Sequence, residues 1–328
     1  MNGPRSLRVL VTGARGFVGR AVVPALLGAG HRVVAAVRNG LPAGAPAGVE
    51  TLVLGDLCAV PAWEPLLGGL DAVVHLAARV HRRGEPGGID AYRRENAVLS
   101  ARIARAAVAT GVQRFVFMST VKVHGEHSPP DAAGVPRPFT EADVPAPSGA
   151  YARSKWEAEQ RLREIEGGGA LRVAILRPPL IYGPGVGANF LALVRAVDRG
   201  LPLPLGCIGN ARSLMYVANV ADAVVRCVEN GPARAAWLVS DGAPVSTPEL
   251  IRALAAALDR PARLIPVPAR VLELLARVTG RTETYLRLAG SLHVDDAAIR
   301  SALQWSPPWS RAQGLAVLAR WYREGARA

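Results

Sequence analysis

The chain has 328 residues, half of them hydrophobic and a fifth of them charged, a composition that supports a large core and excludes an intrinsically disordered chain. Its apolar runs are shorter than the roughly 18 residues of a membrane span. The net charge of +13 comes from scattered arginines, which indicates an arginine-rich background or acidic small-molecule ligands rather than a nucleic-acid surface. We therefore expect no membrane insertion and no nucleic-acid partner.

The three cysteines, Cys58, Cys207 and Cys227, have neither disulfide nor zinc-site spacing. Only residues 1–6 precede the first predicted strand, which leaves no room for a signal peptide. We therefore expect a cytoplasmic protein without a bound metal.

The first elements form one βαβ unit. A buried strand is predicted over residues 7–12, a glycine-rich turn over 13–19, a helix over 17–29 with Pro24 inside it, and a second strand over 32–37. Further strands and helices alternate along the chain, with strands at 71–76, 114–118 and 171–176 and helices at 97–109 and 151–165. This alternation predicts an α/β Rossmann fold with a doubly wound parallel sheet.

The sequence changes character after residue 178. Proline and glycine cluster through 178–209, where a helix is predicted at 189–199, and a strand follows at 236–240. Ser246 and Glu249 have capping-box spacing before another helix. We expect a Rossmann dinucleotide-binding domain over 1–178, to which about 213–241 return, and a smaller substrate-binding lobe mainly over 179–328. The segment 126–149 is predicted to be a loop near the active site.

The glycine-rich turn carries the first chemical motif, G-x-x-G-x-x-G. Glycines let the backbone approach a pyrophosphate, and the following helix directs its N-terminal amides at the negative charge. The position between a strand and a helix favours a dinucleotide site over an ordinary turn. The predicted cofactor contacts here are Gly13, Arg15, Gly16, Phe17, Val18 and Gly19.

The end of the second strand bears on the choice of cofactor. NAD-binding folds usually place an acid there for the ribose 2′-hydroxyl, but this chain has Arg38 and no acid before Glu50. An arginine suits a 2′-phosphate, so we favour NADP(H) over NAD(H). A merely solvated Arg38 is the alternative.

The strongest catalytic candidates are Tyr151 and Lys155, four residues apart on a predicted helix, and therefore on one face. A phenol titrates near pH 10, and a nearby ammonium lowers that pKa toward neutrality. Lys155 is one of only two lysines, with Lys122, which indicates a position that arginine cannot fill. Ser119 and Thr120 follow an apolar strand, where hydroxyls can orient a substrate oxygen or simply form a turn.

Together these motifs resemble the extended short-chain dehydrogenase/reductase family, in particular its nucleotide-sugar epimerases, dehydratases and 4-reductases. The resemblance covers nearly the whole chain. It rests on the glycine turn, Asp56-Leu57, His75 to Ala78, Asn96, Ser119-Thr120, Tyr151 with Lys155, and the run from Arg177 to Gly185.

The resemblance implies specific roles. Asp56 and Leu57 would contact adenine, and Thr120 would be the catalytic hydroxyl. Lys155 would also hold the nicotinamide ribose, while Tyr151 exchanges a proton with the sugar C4 oxygen as hydride moves. The remaining cofactor contacts would come from Leu76, Ala77, Ala78, Asn96, Ser119 and Pro178.

The C-terminal part resembles the region that binds the nucleotide sugar in the same family, with Asn189, Arg212 and Arg287 as substrate contacts. The substrate would be a UDP-hexose or UDP-N-acetylhexosamine, and the family resemblance implies a homodimer. Two residues depart from the family pattern. Arg38 stands where an acid is usual, and His124 stands where the family often has tyrosine. Arg38 weakens the case for tightly bound NAD and thus for an epimerase over a 4-keto-sugar reductase.

Two other functions remain open. One is an NADPH-dependent carbonyl reductase of dihydroflavonol-reductase type, which would need no phosphate-gripping arginines. The other is a non-catalytic NADP(H) sensor, which the presence of Tyr151 and Lys155 disfavours.

Overall fold

The computed structural model describes residues 6–41, 44, 46–80 and 88–325. Seven parallel strands form the main sheet, in the order β3-β2-β1-β4-β5-β6-β9. Two further parallel strands, β7 and β8, form a small second sheet. The strands are β1 Arg8–Thr12, β2 Arg32–Val37, β3 Val49–Val53, β4 Ala72–His75, β5 Arg114–Met118, β6 Arg172–Arg177, β7 Leu180–Tyr182, β8 Leu214–Tyr216 and β9 Ala235–Leu238.

Helices follow most strands, and the α/β Rossmann fold expected from the sequence is confirmed. In the described part of the chain they are α1 Gly19–Gly28, α2 Glu64–Leu67, α3 Gly88–Tyr92, α4 Leu99–Ala109, α5 Gly149–Glu166, α6 Ala188–Asp198, α7 Val217–Asn230, α8 Thr247–Ala257, α9 Ala269–Val278, α10 Thr282–Ala289, α11 Ala297–Leu303 and α12 Arg311–Gly325. A π-helical turn, Arg93–Val98, joins α3 to α4. Helix α1 continues through Pro24, as predicted. Ser246 and Glu249 form the predicted capping box at the start of α8.

The sheet is covered on both faces, which explains why its central strands are apolar throughout. Successive residues of a strand point to opposite faces, so Val9 packs into a core with α1 and α7, whereas Leu10 packs into a core with α4 and α5. A third core lies around β7, β8, α6, α8 and α12. β9 joins the main sheet beside β6, while the two-lobe division of the chain stays a prediction.

All strands of the main sheet run the same way, so their carboxyl ends share one edge. In the register of the sheet, Thr12 at the end of β1 stands opposite His75 at the end of β4. Ligands of such sheets bind beyond this edge. Among the described residues, none of the helices is long and apolar enough to cross a membrane, and His, Cys, Asp and Glu form no metal-binding group.

Candidate functional site

The glycine turn connects β1 to α1 and packs directly on the loop after β4. Gly13 has φ +71°, and a Cβ placed on it would lie 2.7 Å from the Ala77 nitrogen. A Cβ on Gly19 would lie 2.3 Å from the Gly13 oxygen. The first turn of α1 carries no acidic side chain, so nothing opposes an anion there. The turn therefore fits the pyrophosphate of a dinucleotide.

Two glycines of the same helix provide a matched test of this turn. We expect Gly19→Ala to weaken cofactor binding by at least about 100-fold and to destabilise the fold by roughly 1–3 kcal/mol, because its Cβ has no space. Gly28→Ala meets nothing within 4 Å and should stabilise α1 by up to about 1 kcal/mol. Cofactor titration and thermal unfolding measure both effects; equal behaviour of the two variants would contradict the assignment.

The segment after β2 contacts the turn, and the segment after β3 follows the next strand of the sheet. Arg15 donates a hydrogen bond to the Asn39 carbonyl, which joins the turn to the segment after β2. Arg38 is exposed immediately after β2. Asp56 is exposed after β3, where its carboxylate accepts from the Cys58 amide at 3.0 Å and caps the short turn Leu57–Ala59.

A buried hydrogen-bond chain leads from the end of β1 toward α5. Thr12 Oγ1 accepts from the Ala77 amide at 3.3 Å and lies 2.7 Å from His75 Nδ1. On the other side of the ring, His75 Nε2 lies 3.0 Å from Ser100 Oγ, whose proton is donated to the Asn96 carbonyl at 2.6 Å. Because Ser100 has one proton, His75 Nε2 must be the donor and Nδ1 the acceptor from Thr12.

Asn96 continues this chain from the π-helical turn. Its Oδ1 accepts from the Arg79 amide at 2.7 Å, and its Nδ2 donates to the Arg79 carbonyl at 3.0 Å and to Ser154 Oγ at 2.9 Å. Ser154 in turn donates to the Tyr151 carbonyl at 2.8 Å. Both amide protons are used, so the loop after β4 is held to the helix that carries Tyr151. Asn96 has a positioning function that the family resemblance did not specify, and its contact with the cofactor stays a prediction.

Tyr151 and Lys155 lie on the first two turns of α5. Lys155 is 1% exposed, donates to the Met118 carbonyl at 2.8 Å, and lies 4.5 Å from the centre of the Phe117 ring. Met118 ends β5, so the ammonium reaches the carboxyl edge of the sheet. Lys122, the other lysine, forms an ordinary exposed ion pair with Glu126.

The electrostatics of this pair differ from the expectation. Burial raises the pKa of Tyr151 to about 12, and the neighbouring Tyr92 adds to the rise. Burial lowers the pKa of Lys155 to about 7, against a smaller opposite effect of Glu159. The lowered phenol pKa predicted from the sequence is therefore not found in this state, because both groups are desolvated and the ammonium is bonded to a carbonyl. Their catalytic roles stay a proposal.

Ser119 and Thr120 follow β5 but have different surroundings. Thr120 is 8% exposed, and its hydroxyl accepts from the Lys122 amide at 3.3 Å. Ser119 donates its hydroxyl proton to the Glu159 carboxylate, which places it in a buried ionic group, and its contact with the cofactor stays a prediction. The sequence interpretation missed Glu159, although its four-residue spacing from Lys155 was a visible indication.

That ionic group is centred on Arg177. Its guanidinium binds Glu159 through Nε, at 3.2 Å from each carboxylate oxygen, and through a second nitrogen at 2.5 Å. It also lies 2.9 Å from His124 Nε2. The Glu159 and Arg177 side chains are 2% and 7% exposed. The pair therefore joins α5 to the end of β6 behind the candidate catalytic residues.

The predicted substrate contacts are only partly brought together. Arg212 is partly buried, its pKa is lowered by desolvation, and it donates to the carbonyls of Arg287 at 2.8 Å and Gly290 at 3.0 Å. The Arg287 side chain is exposed and pairs with Glu283 at 2.6 Å. Asn189 is exposed on the first turn of α6. The loop before α6 approaches the glycine turn, since a Cβ on Gly185 would lie 3.6 Å from the Phe17 ring.

Two buried histidines predict an acid-sensitive fold. Burial, aided by Lys155, lowers the pKa of His75 to about 3, and burial, aided by Arg177, lowers that of His124 to about 4. The unfolded chain takes up these protons near pH 6.5, so stability is lost as the pH falls from 6.5, by about 1.4 kcal/mol per pH unit for each histidine. His75→Asn should flatten the dependence of the unfolding temperature on pH between 6.5 and 4.5. Exposed His127→Gln is the control, and equal slopes in both variants would refute the assignment.

Comparisons with known proteins identify the family to which these sequence and structural features belong. Residues 9–239 match the model of the NAD dependent epimerase/dehydratase family. A UDP-glucose 4-epimerase from Vibrio cholerae is 38% identical over 314 residues, 94% of this chain and 93% of that one. A 2-alkyl-3-oxoalkanoate reductase from Stenotrophomonas maltophilia is 33% identical over 262 residues, 78% of this chain and 77% of that one.

A solved structure extends the comparison to bound ligands. The structure of MoeE5 in complex with UDP-glucuronic acid and NAD is similar with a TM-score of 0.76 and 27% identity, covering 97% of this chain and 99% of that one. The family resemblance seen in the sequence is confirmed, and with it a nicotinamide cofactor and an enzymatic activity. The chain belongs to the NAD-dependent epimerase/dehydratase family, within the extended short-chain dehydrogenase/reductases.

Proposed function

We propose that the protein is a nucleotide-sugar C4 oxidoreductase that works as a 4-epimerase on a UDP-hexose or UDP-N-acetylhexosamine. The observation that carries the proposal is the similarity to the Vibrio cholerae UDP-glucose 4-epimerase over nearly the whole chain. The buried chain from Thr12 to Ser154 supports it, because it positions the Tyr151 helix against the loop that borders the glycine turn.

In this mechanism Tyr151 takes the proton of the sugar C4 hydroxyl while hydride leaves C4, and returns the proton when hydride comes back on the other face. When bound, the nicotinamide supplies the acceptor and donor of that hydride. Thr120 donates a hydrogen bond to the same oxygen. Lys155 favours the phenolate electrostatically, and a negative charge on Tyr151 raises the pKa of Lys155 in return, so the two titrate as a coupled pair. Arg212, Arg287 and Asn189 hold the nucleotide diphosphate.

The test is incubation with UDP-glucose, UDP-galactose and their N-acetyl analogues, with the C4 epimers resolved by NMR. We expect interconversion of at least one pair without added cofactor, together with nicotinamide retained by the purified protein in native mass spectrometry. Absence of any epimer, with or without added NAD, would contradict the proposal.

A reductase is the second candidate, either a 4-keto-sugar reductase or a small-carbonyl reductase of dihydroflavonol-reductase type. The exposed Arg38 after β2 favours it, since this position suits the 2′-phosphate of NADPH, as does the similarity to a 2-alkyl-3-oxoalkanoate reductase. Protection against thermal unfolding by UDP separates a nucleotide-sugar enzyme from a small-carbonyl reductase.

The cytoplasmic location and the homodimer also stay predictions.

Arg38 gives a direct test of cofactor preference. If it binds a 2′-phosphate, Arg38→Asp should raise the Kd of NADPH about 10–100-fold and leave that of NADH within about twofold, because one charge-assisted contact is lost. Arg32→Asp, exposed at the other end of β2, is the matched control. An unchanged NADPH affinity in Arg38→Asp would remove the argument for NADP(H).

A further inference from the structure

The helix α9 has a continuous apolar face that is open to solvent. Val271, Leu274, Leu275 and Val278 are 46%, 62%, 55% and 78% exposed. Their spacing of three, four and seven residues from the first puts them on one side of the helix. Single exposed apolar residues are common on soluble proteins, whereas a contiguous row marks an interaction site.

This exposure is not the result of a helix that fails to pack. The opposite face of α9 is anchored, because Ala276 is buried and Leu272 packs against the third core together with Tyr285 and Leu288 of α10. Tyr285 also donates its hydroxyl proton to the Ala269 carbonyl at 3.3 Å. The helical hairpin α9–α10 is thus held from within, and its apolar face points outward.

The charge around this face narrows the choice of partner. From residue 260 to residue 287 the chain carries six arginines and two glutamates, and two of these arginines are paired, Arg260 with Asp198 and Arg287 with Glu283. Arg270 and Arg277 are both exposed and, seven residues apart, border the same side of the apolar row, although Arg277 also pairs with Glu273. A second copy of this chain would bring the same positive charge and a net charge of +13, which opposes self-association here. An anionic surface is complementary.

We propose that α9 is an interfacial helix that docks the protein peripherally on an anionic lipid bilayer. Leu274, Leu275 and Val278 enter the boundary between headgroups and acyl chains, and Arg270 and Arg277 bind the headgroups. An apolar row bordered by arginines on one helix is the pattern of such helices. The inference does not depend on the proposed function.

The test is co-sedimentation with vesicles of phosphatidylcholine mixed with phosphatidylglycerol, and with vesicles of phosphatidylcholine alone. We expect the protein to bind the anionic vesicles more tightly, and the binding to weaken as salt is added. The double variant Leu274→Ser/Val278→Ser should bind them at least about tenfold more weakly, because apolar burial supplies much of the affinity. Val144→Ser, at a loop residue 84% exposed, is the matched control and should bind as the wild type does.

Three results would overturn the proposal. The first is a wild-type protein that does not sediment with anionic vesicles, and the second is a double variant that binds them as tightly as the wild type. The third is a self-associating wild type whose double variant becomes monomeric in sedimentation velocity while neither binds vesicles, which would make α9 an interface between copies. Because these residues lie outside the proposed catalytic site, turnover of soluble substrates by the double variant should match the wild type, whichever reaction that site performs.

Discussion

Tyr151→Phe is expected to lower kcat about a thousandfold while leaving the affinity for the nicotinamide cofactor within about threefold. The phenol is the group that exchanges a proton with the substrate, and a positioned acid–base contributes roughly 10²–10⁴ to the rate. Phenylalanine fills the same space, so the hydrogen bond from Ser154 to the backbone carbonyl of residue 151 stays intact. Single-turnover kinetics and cofactor titration measure the two quantities separately.

Tyr322→Phe is the control, because Tyr322 lies on α12 and binds Asp198 at 3.3 Å. It should change kcat by less than about twofold. A Tyr151→Phe variant with wild-type turnover would refute the proposed mechanism. A wild-type protein that binds NADPH, turns over no carbonyl or sugar substrate, and keeps its ligand response in Tyr151→Phe would instead be a cofactor sensor.

Glu159→Ala should lower the free energy of unfolding by about 3–5 kcal/mol. The change leaves Arg177 charged and buried with one partner fewer, and an unpaired buried ion is strongly destabilising. It also removes the acceptor of the Ser119 hydroxyl. Chemical denaturation measures the loss. Glu50→Gln, which breaks the exposed pair between Arg8 and Glu50, should cost less than about 1 kcal/mol.

A double variant separates the ion pair from the space it fills. Glu159→Leu/Arg177→Met keeps apolar volume and removes both charges, so it should be more stable than either single variant. If the effects of the two single changes simply add, Glu159 and Arg177 are not coupled, and the ionic group does not hold α5 to β6 as described.

Hydrophobic pattern and glycine spacing predicted the strands that are buried on both faces of the sheet, and helix periodicity predicted α5. β1, β2, β5 and β6 and the helix α5 agree with the predicted ranges within a few residues, because a central strand of a parallel sheet is apolar throughout. β3 was not predicted. It is an edge strand with mostly exposed side chains such as Glu50 and Thr51, so its residues show no apolar run.

The candidate site divides in a similar way. The glycine turn and the pair of Tyr151 and Lys155 were predictable because their chemistry depends on spacing within one segment. The ties from His75 through Ser100 to Asn96, and from Glu159 to Arg177, join distant segments. His75, Asn96 and Arg177 belong to the motifs that carry the family resemblance, but those motifs do not say which side chains bond to each other. Only the packing of the helices on the sheet identifies these ties.

By itself, the sequence determined the fold class, the dinucleotide turn and the candidate proton-transfer pair. Local backbone geometry and helix periodicity depend on residues that are only a few positions apart in the chain. Only the tertiary structure decided in which direction the pKa of each of these two groups is shifted. Burial raises the pKa of Tyr151 and lowers that of Lys155, and desolvation depends on what surrounds a side chain. It also decided that α9 presents an apolar face to solvent, because a periodic apolar row does not say whether anything covers it.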